Sequence, residues 1–319
     1  VKVFSIAALI VGLATSVTLV VAFGVGDIAA GFVRLGAAGF FLFCLAHAPV
    51  VVVLGLGWRF CLPTGSRARL PGMVMARVLR DAGAEVLPLS ELGGFAVGAR
   101  AAILAGATGL EAAASMLVDL TTEAAAQLAF ILLGLVALNG LRPDAALIRP
   151  AAGGLAVLIA LIAIAALLAQ SGSRLFAPAR AALRNWLVIF GDTEAAFALM
   201  GAIARQPGAI GGALFFHLVG WLGVAGEAWL ALRLLGSPVP YPAALALESL
   251  LFAARSFGFF APNALGVQEG TYALLAPLVG LEVADALALS LVKRARDIVI
   301  GAPALLLWQR AEAVRLWRL

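Results

Sequence analysis

Charge is what this sequence has least of. Of its 319 residues, 12% are Asp, Glu, Lys or Arg and 63% are hydrophobic, whereas a soluble domain carries about 25% charged residues. A soluble domain of this length still needs polar groups to cover its surface, so water is not the main solvent of this chain. Cysteine is nearly missing: Cys44 and Cys61 are the only two, which excludes a disulfide scaffold. Histidine is limited to His47 and His217, and neither makes a metal-ligand spacing with a cysteine. All four residues read as packing residues, and no metal or cofactor is expected. The chain has no P-loop, GxSxG elbow or HExxH, so it is not expected to be an enzyme. A site built only from carboxylates and arginines is the catalytic reading that remains. Alternating ten-residue strands are also missing, which argues against a membrane barrel.

What is present is long apolar runs, and mean hydropathy is +1.07. A crossing needs about 20 apolar residues. Segments 3–24, 35–58, 111–138, 150–169, 208–235 and 283–308 meet that length. The first reads as an anchor helix that stays rather than a signal peptide. Fold class is therefore all-α: a polytopic membrane helical bundle, with residues 1–319 as one integral membrane domain. Segment 171–207 is the most polar stretch, with Arg180, Arg184, Trp186, Phe190 and Phe197 at roughly helical spacing. It is expected to be an amphipathic helix on the cytoplasmic face, with docking of a partner enzyme as the alternative.

The net charge of +5 and pI near 10.0 do not call for nucleic acid, because the basic residues gather in short loops where they set topology. Residues 59–80, 171–207 and the two termini hold thirteen lysines and arginines, against four (Arg34, Arg142, Arg149 and Arg233) in the alternate loops. The richer set should be cytoplasmic, both termini included. Counting crossings from there, segments 70–110 and 241–281 each begin and end on one side. Both carry proline, glycine and mid-run charge, and both are expected to be helical hairpins, either re-entrant or paired crossings. The result is a triplet over 35–138 and an inverted triplet over 208–308.

The two hairpins share local sequence. Arg80 precedes Pro88, and Arg255 precedes Pro262; Leu92-Gly93-Gly94 and Leu265-Gly266 follow. Pro88, Gly93, Gly94, Pro262 and Gly266 are the expected breaks. This is the pattern of an inverted repeat with broken helices at a mid-membrane site.

A charge at a helix centre in the bilayer costs about 2.5–3.5 kcal/mol on insertion scales, so the charges that remain there should face one another or a wet cavity. Asp119, Thr122 and Glu123 form one stripe on 111–138, and Lys293, Arg296 and Asp297 form another on 283–308. The acidic stripe is expected to face the basic one. One reading makes these residues structural ion pairs, with Arg255, Lys293 and Asp297 as candidates. The other makes them a polar cavity for a lipid headgroup, contacted by Glu91, Arg100, Glu248, Arg255 and Glu269, with Asp119, Glu123, Arg294 and Arg296 shaping the field.

The stretch Phe259-Phe260-Ala261-Pro262-Asn263-Ala264-Leu265-Gly266-Val267-Gln268-Glu269-Gly270, followed by Ser290-Leu291-Val292-Lys293-Arg294-Ala295-Arg296-Asp297, resembles the HpnL-type membrane proteins associated with hopanoid biosynthesis. These belong to the lysylphosphatidylglycerol-synthase transmembrane-region (flippase domain) superfamily, and residues 85–94 are similar to its pattern as well. Where that superfamily often has Pro-Gly-Gly-x-Gly, this chain has Pro262-Asn263-Ala264-Leu265-Gly266. The resemblance covers about residues 5 to 310. It implies a bacterial inner-membrane protein that moves lipid, hopanoid or phospholipid, between leaflets. A scaffold that recruits hopanoid-biosynthesis enzymes and an intramembrane lipid-modifying enzyme are the alternatives.

Overall fold

The computed structural model describes residues 13–86, 90–144, 146, 148–150, 152–154, 156–157, 181, 184, 192–257 and 264–316. The described residues form an all-α membrane bundle. A short helix α1 (Leu13–Ala22) leads into α2 (Val25–Phe60), the hairpin α3 (Leu70–Val86) and α4 (Ser90–Leu104), and α5 (Gly109–Leu141). After a partly described stretch come α6 (Thr193–Ala204), α7 (Pro207–Leu234), α8 (Tyr241–Phe257), α9 (Val267–Leu275) with a single 3₁₀ turn, and α10 (Val283–Leu316). Helices α2, α5 and α7 are long and apolar enough to cross a membrane. Helix α10 has the length, but Lys293, Arg294, Arg296 and Asp297 interrupt its apolar run.

Local chemistry sets the boundaries. Thr108 and Glu111 form a capping box at the start of α5, with Glu111 N–H donating to the Thr108 hydroxyl at 3.1 Å and Thr108 N–H to the Glu111 carboxylate at 2.8 Å. Pro207 opens α7, where its missing N–H costs nothing. Gly36 adopts φ 61°, ψ 175° inside α2, a conformation that favours glycine, and it separates residues 25–35 from the run to Phe60. The stretch before residue 35, expected as a loop, is therefore helical. Its Arg34 donates to the Leu235 carbonyl at 2.6 Å and pairs with Asp285 at 3.2 Å.

Helices α2 and α7 run antiparallel at close range. A Cβ added at Gly57 would meet His217, one at Gly223 would meet Val50, and Gly212 and Gly220 lie against Phe60 and Leu54. Packing is reciprocal around this pair: α5 lies on α8 as α10 lies on α3, and α5 touches α7 as α10 touches α2. Hairpin α3–α4 closes tightly, because a Cβ at Gly94 would sit 2.5 Å from the Arg80 carbonyl oxygen and one at Gly83 2.9 Å from Gly94 Cα. Gly93 and Gly94 are thus helical packing residues of α4, not the break. Gly266 does occupy a break, at φ 79° just before α9.

Among the described residues the apolar core has two large bodies, with smaller clusters around Phe130 and Trp221 and around Ala113 and Ala196. One gathers Phe43, Leu135, Leu232, Leu247 and Leu287; the other gathers Trp58, Met73, Ala102, Met116 and Leu305. They occupy opposite ends of the long helices, leaving a polar layer at mid-length. Outside, Phe41, Leu132, Val136, Phe215, Leu306 and Leu307 are exposed, as a lipid-facing surface requires. Of segment 171–207, the described part is chiefly α6, which Asp192 caps and which buries Ala196 and Ile203. Most of 150–169 and of the proposed amphipathic stretch lies outside the described residues.

Candidate functional site

Between the two apolar bodies lies a cavity of about 480 Å³. Its walls come from the middles of α2, α5, α7 and α10 and from both hairpins. His47, Arg77, Arg80, Asp81, Glu85, Glu123, Glu227, Arg255, Lys293, Arg296 and Asp297 line it, with Trp221 and Phe252 among the apolar groups. Charges this deep persist only when paired and hydrogen-bonded, and here they are.

On one side, Arg77 donates to Asp81 at 2.8 Å and to Glu123 at 2.7 Å. Arg80 donates to Asp119 at 2.5 Å and also to Glu123. Behind them, His217 meets Asp119 at 2.9 Å with both side chains fully buried. On the other side, Lys293 donates to Glu248 at 2.5 Å and to the Tyr272 hydroxyl at 3.1 Å, while Tyr272 donates to Glu248 at 2.5 Å. Each triplet thus ties its hairpin to its last helix, with base on hairpin and acid on helix in the first and the reverse in the second. Helices α5 and α10 lie on different hairpins, so the acidic stripe does not face the basic one as expected from sequence.

Two links cross the centre. Arg255 on α8 donates to Glu85 on α3 at 2.6 Å, joining the hairpins. Glu227 on α7 accepts from Arg296 at 2.6 Å and meets His47 at 2.9 Å. Arg296 also holds Asp297 at 2.8 Å. The Phe252 ring lies beneath both Arg255 and Lys293, whose cationic groups are 5.4 and 5.6 Å from its centroid. Gln127 ties α5 to the end of α8, donating to the Phe252 carbonyl at 3.2 Å and the Ser256 hydroxyl at 3.1 Å.

Of the nine residues the sequence named for the lipid site, five for headgroup contact and four for shaping the field, Glu123, Arg255 and Arg296 line the cavity. Asp119 and Glu248 sit one step behind, each fully buried and holding a cation that does line it. Glu269 and Arg294 lie elsewhere. Glu269 accepts from Arg294 and Ser290 at 2.8 Å, from Ser16 at 3.0 Å and from Gly266 N–H at 2.9 Å, so it caps α9 and fastens that helix to α1 and α10. The N-terminus of α9 therefore spends its amide dipole on the chain's own carboxylate rather than on a ligand. Arg100 lies away from the cavity, half exposed, and pairs with Glu312 at 2.8 Å. Pro88, Pro262 and the side chain of Glu91 fall outside the described residues.

Four of the expectations from sequence need correction. Arg77 and Arg80, counted among the cytoplasmic loop charges, are buried on α3, which leaves eleven basic residues against four in the topology count. His47 and His217 are members of the ion-pair system rather than packing residues. Glu227 and Glu85 were not singled out. For Glu227 the signal was available, since a lone carboxylate inside α7 carries the same insertion cost as those that were named. Cys61 does pack: its thiol is buried, 3.6 Å from the Gly57 carbonyl and 3.8 Å from the Thr122 hydroxyl.

Among the described residues, Arg77 Nη1 and Trp221 Nε1 are buried polar atoms without a hydrogen-bond partner, and both residues belong to the cavity wall. A buried orphan of this kind costs about 1–3 kcal/mol, more for a charged group. Chemically, the site is a partly open, closely charge-paired chamber with apolar surroundings. Its cations suit a ligand with acceptor oxygens on one end.

The family model described as "Lysylphosphatidylglycerol synthase TM region" matches residues 5–304. No curated protein and no solved structure matches the chain.

Proposed function

Because the chain belongs to the lysylphosphatidylglycerol synthase transmembrane-region family, and so to proteins of membrane lipid handling, we propose that it is a lipid flippase of the bacterial inner membrane. Its cargo is a polar-headed lipid, with hopanoids the class that the sequence resemblance favours. The observation that carries this reading is the mid-length chamber of about 480 Å³, lined by charged side chains from both hairpins, α5, α7 and α10 and by His47 of α2. A headgroup there exchanges water for fixed polar partners at the depth where hydrocarbon would otherwise exclude it. The wall cations Arg77, Arg80 and Lys293 give acceptor oxygens on that headgroup a favourable field.

Several features support an inverted repeat over 35–138 and 208–308 around that chamber. The antiparallel α2–α7 pair, the reciprocal packing of α5 on α8 and α10 on α3, and the exchange of acid for base between triplets all fit two halves of opposite orientation. At 17 and 15 residues, α3 and α4 reach roughly 25 Å at 1.5 Å per residue. That falls short of the roughly 30 Å hydrocarbon core and fits a re-entrant hairpin. Arg59, Arg67 and Arg69 beside it favour a cytoplasmic mouth, with both termini on the same side.

The test is leaflet transfer of a fluorescent phospholipid, and of a fluorescent hopanoid, in liposomes carrying the purified protein. Transfer faster than in protein-free liposomes is expected, and Arg77→Lys, which keeps the charge but loses the guanidinium fork that holds Asp81 and Glu123 together, should slow it on the order of ten-fold, the worth of one hydrogen bond to a charged group. Transfer equal to that of empty liposomes sinks the proposal and leaves a scaffold for hopanoid-biosynthesis enzymes as the reading.

A further inference from the structure

Beside the charged chamber, α2 and α7 part to leave a groove of about 320 Å³, lined by Ala46, Pro49, Val50, Val53, Val219, Gly223, Gly226 and Glu227. Apart from Glu227 it is apolar. It shares Val50 and Glu227 with the chamber wall, so the two spaces adjoin. Its outer rim is exposed at Pro49 and Val219, on the same outer face that presents apolar side chains to lipid. Its floor depends on glycine. At Gly220 and Gly223 an added Cβ would strike Leu54 and Val50, whereas at Gly226 it would meet nothing within 4 Å. The α2–α7 seam is thus closed up to Gly223 and open one helical turn further on.

We propose that this groove is a lateral portal holding the hydrocarbon part of the lipid whose headgroup occupies the chamber. The inference deepens the flippase reading and rests on it for the identity of the headgroup site. Physical chemistry favours a tail over other occupants. An apolar trough that opens to hydrocarbon at one end and meets a charged chamber at the other matches an amphiphile and no purely polar or purely apolar ligand. At the chamber end the wall carries the cationic side chains of Arg77, Arg80, Arg255 and Lys293, which favour acceptor oxygens on the head, as a phosphate or a polyol supplies. Trp221 stands in the same wall, held by Phe130 stacked at 5.6 Å and Phe252 edge-on at 4.6 Å. A lipid spanning both spaces keeps its tail in an oily surround throughout and desolvates only its head.

The experiment uses the full-length protein in liposomes containing a diazirine-tailed phosphatidylglycerol or, in a parallel arm, a diazirine-bearing polyhydroxylated hopanoid. Cross-linked peptides are located by mass spectrometry. Labelling of 46–53 and 219–227 is expected to exceed that of the outer surface around Leu306 and Leu307. Gly226→Phe starts from a Cβ that meets nothing within 4 Å and puts a ring at the groove wall; it should cut the groove labelling about ten-fold, equivalent to roughly 1.4 kcal/mol of lost occupancy, while labelling near Leu306 stays unchanged. Gly211→Phe, on the same helix, likewise open at Cβ and outside the groove lining, should label as the wild type does. Enrichment with the phospholipid names a phosphate head, and enrichment with the hopanoid names a polyol. No enrichment with either probe, or enrichment that survives Gly226→Phe, overturns the portal. Enrichment without leaflet transfer upholds the portal and defeats the flippase reading; transfer without enrichment does the reverse.

Discussion

Replacing Glu248 by leucine should be among the most damaging single changes in this protein, and replacing Lys293 as well should undo much of the damage. Glu248 is fully buried and Lys293 nearly so, with the ammonium nitrogen 2.5 Å from a carboxylate oxygen. At an effective dielectric of about 20, that separation corresponds to roughly 6–7 kcal/mol of attraction. Desolvating two ions costs several kcal/mol each, so the intact pair nets close to zero. Glu248→Leu removes the attraction and keeps the desolvated cation, at a cost of about 3–5 kcal/mol. Tyr272 remains 3.1 Å from the ammonium, which holds the loss toward the lower end. Glu248→Leu with Lys293→Met removes both charges and keeps the volume but leaves the buried Tyr272 hydroxyl without its two partners, so it should lie about 1–2 kcal/mol below wild type. The assay is equilibrium unfolding in mixed micelles, read as a double-mutant cycle. Lys293→Met alone strands the carboxylate at a similar cost of about 3 kcal/mol, so a coupling energy of about 4–5 kcal/mol is expected. If Glu248→Leu cost less than about 1 kcal/mol, the pair would be hydrated and the chamber's dry flank would be wrongly described.

Two further predictions follow from close contacts and from partial exposure. Gly57→Ala places a Cβ 2.9 Å from His217 Cε1 and should destabilise the α2–α7 seam by about 1–3 kcal/mol, whereas Gly226→Ala, which meets nothing within 4 Å, should be neutral or stabilise by about 0.5–1 kcal/mol, both read by the same unfolding assay. Glu85→Gln breaks the link between hairpins, yet because the side chains of Glu85 and Arg255 are 23% and 16% exposed it should cost no more than about 1 kcal/mol of stability. Leaflet transfer should nonetheless fall on the order of ten-fold, a barrier change of roughly 1.4 kcal/mol, and an unchanged rate would show that the hairpins act independently.

Helix existence was readable from the sequence because apolar length is a direct demand of the bilayer. The 111–138 and 208–235 runs became Gly109–Leu141 and Pro207–Leu234, and the two interrupted stretches became helix pairs. The pairing of charges was not readable, because it depends on which helix lies against which. Asp119 has the same sequence neighbourhood whether its cation comes from α10 or from α3. Arg77 and Arg80 misled for a related reason: arginine next to an apolar run reads as an interfacial anchor until the hairpin folds it inward. A single histidine carries no spacing, so His47 and His217 gave no sign of the carboxylates they meet. Gly94 misled by type alone, since a glycine can break a helix or let another helix approach, and only the 2.5 Å approach to the Arg80 carbonyl tells which.

The chamber's ion pairs also have a collective property. Seven carboxylates (Asp81, Glu85, Asp119, Glu123, Glu227, Glu248 and Asp297) share five permanent cations (Arg77, Arg80, Arg255, Lys293 and Arg296), with His47 and His217 closing the set. By formal charge, with the imidazoles counted neutral as in the sequence total, this cluster among the described residues carries two negative charges more than positive ones. The transmembrane voltage exerts about 2.3 kcal/mol per elementary charge per 100 mV on whatever crosses its full drop. A set of charges that cancelled would give that voltage no purchase, whereas an unequal one couples any displacement of these helices through the field to the membrane potential.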